Sequence, residues 1–152
     1  MLFRTHLLFS LLIGSMLFSF FDINPFLFVF FVVVGGMLPD IDKGSSKINN
    51  TLFVTKPIAF VTRHRGIFHS IFLALLVSGA LAFYNIYEGI ALFIGYTSHL
   101  LIDSLNYAGV KWLHPIPVLH VKGFIETGSI TEHILTVVLG ISVLVRMWYL
   151  IF

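Results

Sequence analysis

The sequence predicts an all-α, polytopic integral membrane protein. About five transmembrane helices are expected, with two cytoplasmic loops forming a polar site at the membrane face. Three observations lead there. Of 152 residues, 58% are hydrophobic and only 11% are charged, whereas a soluble domain carries about a quarter charged residues. The apolar residues fall into five runs separated by turns or polar loops. All seven histidines and five of the seven acidic residues then fall on one side of the membrane that those runs define. Ionisable groups are costly in or beside hydrocarbon, so such a gathering needs a reason, and convergence on a metal ion is the simplest.

No stretch is long or polar enough to make a second domain, so residues 1–152 read as one membrane unit. Seventeen phenylalanines suit lipid-facing and interhelical packing. With no cysteine there are neither disulfides nor thiolate sites, and any metal must be held by nitrogen and oxygen. A net charge of +2 is too small to argue for nucleic acid, so the expected partner is the lipid bilayer. Oligomeric state is not legible.

The first two runs, Leu7–Phe21 and Pro25–Leu38, are short for spanning helices, which need roughly 20 residues. They are expected to thin the bilayer or to form a hairpin of partial depth. The turn Asp22-Ile23-Asn24-Pro25 joins them. The third and fourth runs, Ile71–Tyr87 and Ile90–Leu105, are connected as tightly through Asn85 to Gly89, and the fifth is Ile134–Phe152. Residues 1–20 are read as a retained helix, since no small-x-small cleavage pattern follows them. Pro39–Arg65 and Asn106–His133 show no sustained period and are expected to be ordered loops with at most a short helix. With five spans, Arg4, Lys43, Lys47, Lys56, Arg63, Arg65, Lys111 and Lys122 share one side and only Arg146 is left over. Cationic loops stay cytoplasmic, which puts the N-terminus inside and the C-terminus outside the cell (inner) membrane.

His99 and Asp103 are four apart in a helical run, so both project from one face. Such a pair can share a divalent ion; taken alone it can equally be a hydrogen-bonded pair that joins helices. Asp40 and Asp42 flank Ile41 just after Pro39, which is expected to end a helix. In extended chain, residues two apart point the same way, so both carboxylates could face one cation, or one could ligate and the other accept a proton. The plainer alternative is two solvated acids on a loop. In His64-Arg65-Gly66-Ile67-Phe68-His69-Ser70, Gly66 marks an entry turn that leaves His64 and Arg65 above the helix and His69 pointing inward. Arg65 suits bidentate recognition of a carboxylate or phosphate. Arg63 is read as a lipid-headgroup anchor. His6 and Glu132 sit at the ends of the first and last runs on the same side and join the candidates. His114, His120 and His133 read as loop or interfacial residues. No phosphate-binding glycine loop, GxSxG elbow or HExxH helix is present.

These segments together resemble a known family. Leu38-Pro39-Asp40-Ile41-Asp42, His64-Arg65-Gly66-x-x-His69-Ser70 and Gly95-Tyr96-x-Ser98-His99-Leu100-Leu101-x-Asp103-Ser104, followed by Gly109 and Pro115, look like the YdjM-like membrane-bound metal-dependent hydrolases. Thr5-His6 and Gly128-Ser129-x-x-Glu132 agree more softly. Lys43 stands where the family often has His, and Asn106 where Thr is common. The HxxxD element is also similar to one in zinc-dependent phospholipases of the bacterial phospholipase C type. The resemblance implies a hydrolase, and says little about the reaction.

The expected metal ligands are His6, Asp40, Asp42, His69, His99, Asp103 and Glu132. Seven are too many for one tetrahedral zinc, whereas two ions about 3.5–4 Å apart, bridged by a carboxylate, would use them better. Zinc is the first choice from the histidine content, with manganese or iron as alternatives because carboxylates are abundant. The expected reaction is attack of a metal-activated water on a phosphorus or carbonyl centre. Arg65 would steady the developing anion and His64 would move a proton. The substrate expected at the headgroup level is a lipid phosphoester. The rival readings are a non-catalytic protein with a structural ion and, behind it, a metal transporter.

Overall fold

The computed structural model describes residues 1–42, 66–116 and 118–151; of Ile41 and Asp42 it describes the backbone alone. The chain is mostly helical. Five α-helices are present among the described residues: α1 Phe3–Leu17, α2 Pro25–Met37, α3 Ile71–Ala82, α4 Ile86–Ser104 and α5 Ile130–Ile151. Two strands of two residues each, β1 Val110–Lys111 and β2 His120–Val121, pair antiparallel inside the loop expected to be irregular.

Local chemistry sets most helix starts. Asn24 Oδ1 accepts hydrogen bonds from the amides of Phe26 and Leu27, and Pro25 stands at the first helical position of α2, where a missing N–H costs nothing. Asn85 caps α4 in the same way through Tyr87 and Glu88. The link between α3 and α4 is therefore residues 83–85, slightly earlier than the expected Asn85–Gly89 turn. Ser70 Oγ caps α3 by accepting from Leu73 N. α1 and α5 each begin about four residues before the apolar runs do, which brings His6 and Glu132 into helix.

Asp40 and Asp42 depart from expectation. Leu38 keeps right-handed helical angles (φ −56°, ψ −42°) despite the proline after it, and Leu38–Asp42 continues as a 3₁₀ helix, not an extended strand. Residues two apart on a 3₁₀ backbone are about 240° apart, so the shared direction expected of an extended segment does not apply.

α4 is the most buried helix and lies against α1, α2 and α3. α1 runs antiparallel to α2 and α4, as Ser10 meets Gly36 and Ser98. It runs parallel to α5, with Leu2 beside Glu132 at one end and Ser15 beside Arg146 at the other. The starts of α1, α3 and α5 and the ends of α2 and α4 therefore gather at one end of the bundle.

The α2–α4 crossing depends on glycine. A Cβ on Gly95 would fall on the Val32 carbonyl, and one on Gly35 would fall on the Leu92 carbonyl. Without those side chains the backbones pack directly, as small residues allow between membrane helices. Outside this core the surface is apolar: Ile134, Val137, Val138, Ile141, Leu144 and Val145 of α5 are all exposed.

Among the described residues two helices have the length and composition of a membrane span, Phe3–Phe20 (α1 with its 3₁₀ extension) and Ile130–Ile151. The latter, at 22 residues, is about 33 Å long and matches a hydrocarbon core of about 30 Å. Pro25–Asp40 and Ile71–Ala82 are apolar but shorter. Of the expected five or so membrane helices, Phe3–Phe20 and Ile130–Ile151 are candidate spans by length and composition; the 19-residue α4 is long enough but less apolar.

Gly95→Ala should lower thermal stability in detergent by about 1–3 kcal/mol, the usual cost of overpacking. Gly79→Ala, with nothing within 4 Å of the new methyl, should be neutral or stabilising by up to about 1 kcal/mol through helix propensity. Equal melting shifts in both variants would refute close packing at the α2–α4 crossing.

Candidate metal centre

Asp103 lies in the last turn of α4 with His99 one turn before it, and both are buried. The Asp103 carboxylate faces two ways. Oδ1 is 3.4 Å from His6 Nε2, while Oδ2 is 3.6 Å from His69 Nε2 and 3.9 Å from His99 Nε2. These separations exceed good hydrogen bonds, which fall near 2.7–3.2 Å. They are close to the edge of a ligand tetrahedron, about 3.3 Å when each ligand is about 2.0–2.1 Å from a central zinc.

Among the described residues two groups of three bring ligand atoms within 4.8 Å of one another: His69, His99 and Asp103, and His6, Asp40 and His99. Every member is buried, Asp40 being the most accessible at 6%. His99 Nδ1 lies 2.7 Å from the Gly36 carbonyl, which accepts the ring proton and leaves Nε2 as the atom facing the cluster. That nitrogen, like Nδ1 of His6, is buried without a hydrogen-bond partner. Buried polar atoms are seldom left in this way, and a divalent ion is a partner they would fit.

Ring orientation separates the two groups. His69 and His99 meet edge to face, at 73°, so their planes cross and both lone pairs can reach one point. His6 and His99 are stacked, with centroids 3.8 Å apart and planes 8° apart. Nearly parallel rings cannot both hold one ion in their planes. The first group is therefore arranged for an ion as it stands. The second offers His6 and Asp40 to another position, with Asp103 Oδ1 between them and the first. A positive charge already sits at that oxygen: the Met1 ammonium donates to it at 2.7 Å.

The supports of these residues come from the surrounding backbone. His69 belongs to a 3₁₀ turn, Ile67–His69, which follows Gly66 and is tied to α4 by the Tyr96 hydroxyl donating to the Phe68 carbonyl at 2.6 Å. The expected inward placement of His69 is met. His6 is held through its neighbours. Glu132 Oε1 accepts from Leu2 N at 2.6 Å and from the Thr5 hydroxyl at 3.2 Å, and Oε2 accepts from Gly128 N at 2.6 Å. The fully buried Glu132 carboxylate thus clasps α1 to α5 and belongs to neither ligand group.

Of the sequence candidates, the structure brings together His6, Asp40, His69, His99 and Asp103. His64 and Arg65, and the side chain of Asp42, lie outside the described residues. His120 bonds the Ala108 carbonyl and His133 the Ser129 carbonyl, away from the cluster. Asn106 is a buried loop pin, donating to Thr127 and accepting from Ala108 N. Sequence reasoning missed Gly36, Tyr96 and the Met1 amine. The Gly35-Gly36 pair in an apolar run was the available signal for the first.

Asp103→Asn should lose bound metal, measured by elemental mass spectrometry, because an amide removes the anionic charge of the first group, which also faces His6. Glu132→Gln should keep its metal and melt several degrees lower, since the clasp weakens while both groups remain. Metal loss in Glu132→Gln with an unchanged melting point would instead make Glu132 a ligand.

The chain is 28% identical over 137 residues to the uncharacterized protein YvsG of Bacillus subtilis (strain 168), covering 86% of this chain and 84% of that one. It is 35% identical over 98 residues to the inner membrane protein YdjM of Escherichia coli (strain K12), covering 55% of this chain and 50% of that protein. The match therefore spans half the length of the Escherichia coli relative. No solved structure matches. The model of the YdjM inner membrane protein family matches residues 1–151, and the chain is a membrane protein belonging to that family.

Proposed function

We propose that this protein is a membrane-embedded, metal-dependent hydrolase that acts on an ester, foremost a lipid phosphoester, at the cytoplasmic face. The observation that carries the reading is the two-sided Asp103 carboxylate, which turns one oxygen toward His6 and the other toward His69 and His99. A bridging carboxylate between two nitrogen-rich positions is what a pair of divalent ions needs.

In this reading His69, His99 and Asp103 hold one ion and His6 and Asp40 a second, with zinc favoured by the three imidazoles and manganese or iron as alternatives. Asp42 is assigned to the second set from its place in the sequence alone. A bound ion would supply Lewis-acid activation of water and of the ester oxygen. The chain's own part is orientation. The Gly36 carbonyl fixes the His99 tautomer, the Tyr96 hydroxyl fixes the turn of His69, and the apolar helices around them exclude bulk water. Arg65 precedes the glycine that opens the His69 turn and is assigned to the developing anion. His64 is assigned to proton transfer. The excess of Lys and Arg on the side of the site supports a cytoplasmic N-terminus and an external C-terminus.

Burial favours a second reading. His6, His69, His99 and Asp103 are each at most 2% exposed. A structural ion closes its coordination, whereas a catalytic one keeps a position for water. The two readings separate by experiment.

Protein purified in detergent should carry up to two zinc, manganese or iron ions per chain by elemental mass spectrometry, reduced in His99→Ala. Reloaded protein should release the headgroup or phosphate from phosphatidylglycerol or phosphatidic acid vesicles. Activity should fall at least a hundredfold with chelator and in Asp103→Asn. Metal whose removal unfolds the protein, with no turnover of either lipid, would establish the structural ion instead.

A further inference from the structure

Beside the metal centre, on the outer face of the α1–α5 seam, the structure carries a second polar pair that this function does not use. Arg4 is exposed on the first turn of α1, and its Nη2 lies 3.3 Å from His133 Nε2 on the first turn of α5. His133 Nδ1 is 2.7 Å from the Ser129 carbonyl. A carbonyl can only accept, so Nδ1 carries the ring proton when the imidazole is neutral, and Nε2 accepts from the arginine. His133 thereby aims the guanidinium and leaves most of its five N–H donors available. Among the described residues Arg4 has no carboxylate partner. Glu132, the acid nearest in sequence to His133, has both oxygens turned inward to Leu2, Thr5 and Gly128. Glu126 is exposed on the preceding loop and makes no ion pair with Arg4.

His133 also lines an apolar groove of about 490 Å³, together with Gly128, Ile130, Ile134, Val137 and Val138. Its apolar members are spaced i, i+4, i+7 and i+8, one face of α5. Gly128, in a left-handed conformation at φ +80°, has nothing within 4 Å of where a side chain would stand, so the head of the groove is open. The starts of two helices lie beside the pair and add a favourable field for an anion.

We propose that this is a binding site for an anionic phospholipid. Arg4, oriented by His133, takes the phosphate, and one acyl chain lies along Ile130, Ile134, Val137 and Val138. The complementarity is of both kinds: a delocalised cation with no carboxylate partner among the described residues, suited to bidentate phosphate contact, held by His133, which lines an apolar groove along a helix of spanning length. The site makes no use of the metal ligands and stands whether or not the metal centre turns over a substrate.

The test is native mass spectrometry of the full chain, released from detergent micelles containing equimolar phosphatidylglycerol and phosphatidylcholine. Wild type should retain one phosphatidylglycerol preferentially. Arg4→Gln should lower that retention about tenfold, as loss of a charge-assisted contact implies, with bound metal unchanged. His133→Phe leaves α1 untouched and removes the acceptor that orients the guanidinium; it should lower retention severalfold, and it decides the matter if Arg4→Gln does not fold. Equal retention of the two lipids, or wild-type retention in both variants, would overturn the proposal. So would displacement of the lipid by millimolar inorganic phosphate, which would make this a site for the free anion.

Discussion

A carboxylate buried among apolar helices is the constraint around which this molecule is arranged. Asp103 is 2% exposed, and desolvating an isolated carboxylate costs far more than a domain's net stability. The chain answers by surrounding it with nitrogen: three imidazoles from three separate segments and the Met1 ammonium. Such convergence requires that the start of α1, the turn before α3 and the end of α4 meet at one point. The up-down order of helices delivers them there. Replacing the cluster by hydrocarbon would be the cheaper way to hold helices together, so retaining it fits a site that handles a cation.

The precision of the site comes from backbone, and the backbone can approach only where side chains are missing. Gly35 and Gly95 bring α2 against α4 closely enough for the Gly36 carbonyl to reach the His99 ring. A side chain on either would push the helices apart and release the imidazole from its tautomer. In the same way Glu132 holds the first turn of α1 through a main-chain amide, so the position of His6 is set from α5, a helix that contributes no ligand itself. Packing, capping and coordination are here one set of contacts.

How much of this could be read from the chain depends on the range of the forces involved. The helices were legible because apolar runs and Asn or Pro caps act locally, and the four-residue spacing of His99 and Asp103 implies a shared face without further information. The gathering of polar residues at one end was legible once the runs were taken as alternating. The extent of each helix was not, because polar first turns such as Phe3–His6 and Ile130–His133 become helical through contact with each other. The Asp40-Asp42 geometry was misjudged since the proline rule describes an average. Here α2 is clamped to its last residue by α4, and Leu38 stays helical. The contact of Gly36 with His99 spans 63 residues and leaves no periodic trace. The hairpin of Val110–Lys111 and His120–Val121 is too short for any alternation to show.

The stacked pair of His6 and His99 ties these parts together. In the arrangement seen, the two rings cannot serve a common ion, so filling the second position requires that His6 keep its own plane or turn. His6 sits on α1, which packs against α5 as well as against α2 and α4, and not on the glycine-packed pair of α2 and α4 itself. Arg4 lies two residues before it, about 200° around the same helical turn, so one turn of α1 presents a cation to the outer face and an imidazole to the inner. The Glu132 clasp fixes both at once through Leu2 and Thr5. Anything that shifts this turn on α5 moves the Asp103–His6 edge while leaving His69 and His99 in place. The asymmetry follows from the packing: one ligand group is built into the α2–α4 crossing, and the other depends on α1, which is positioned from α5.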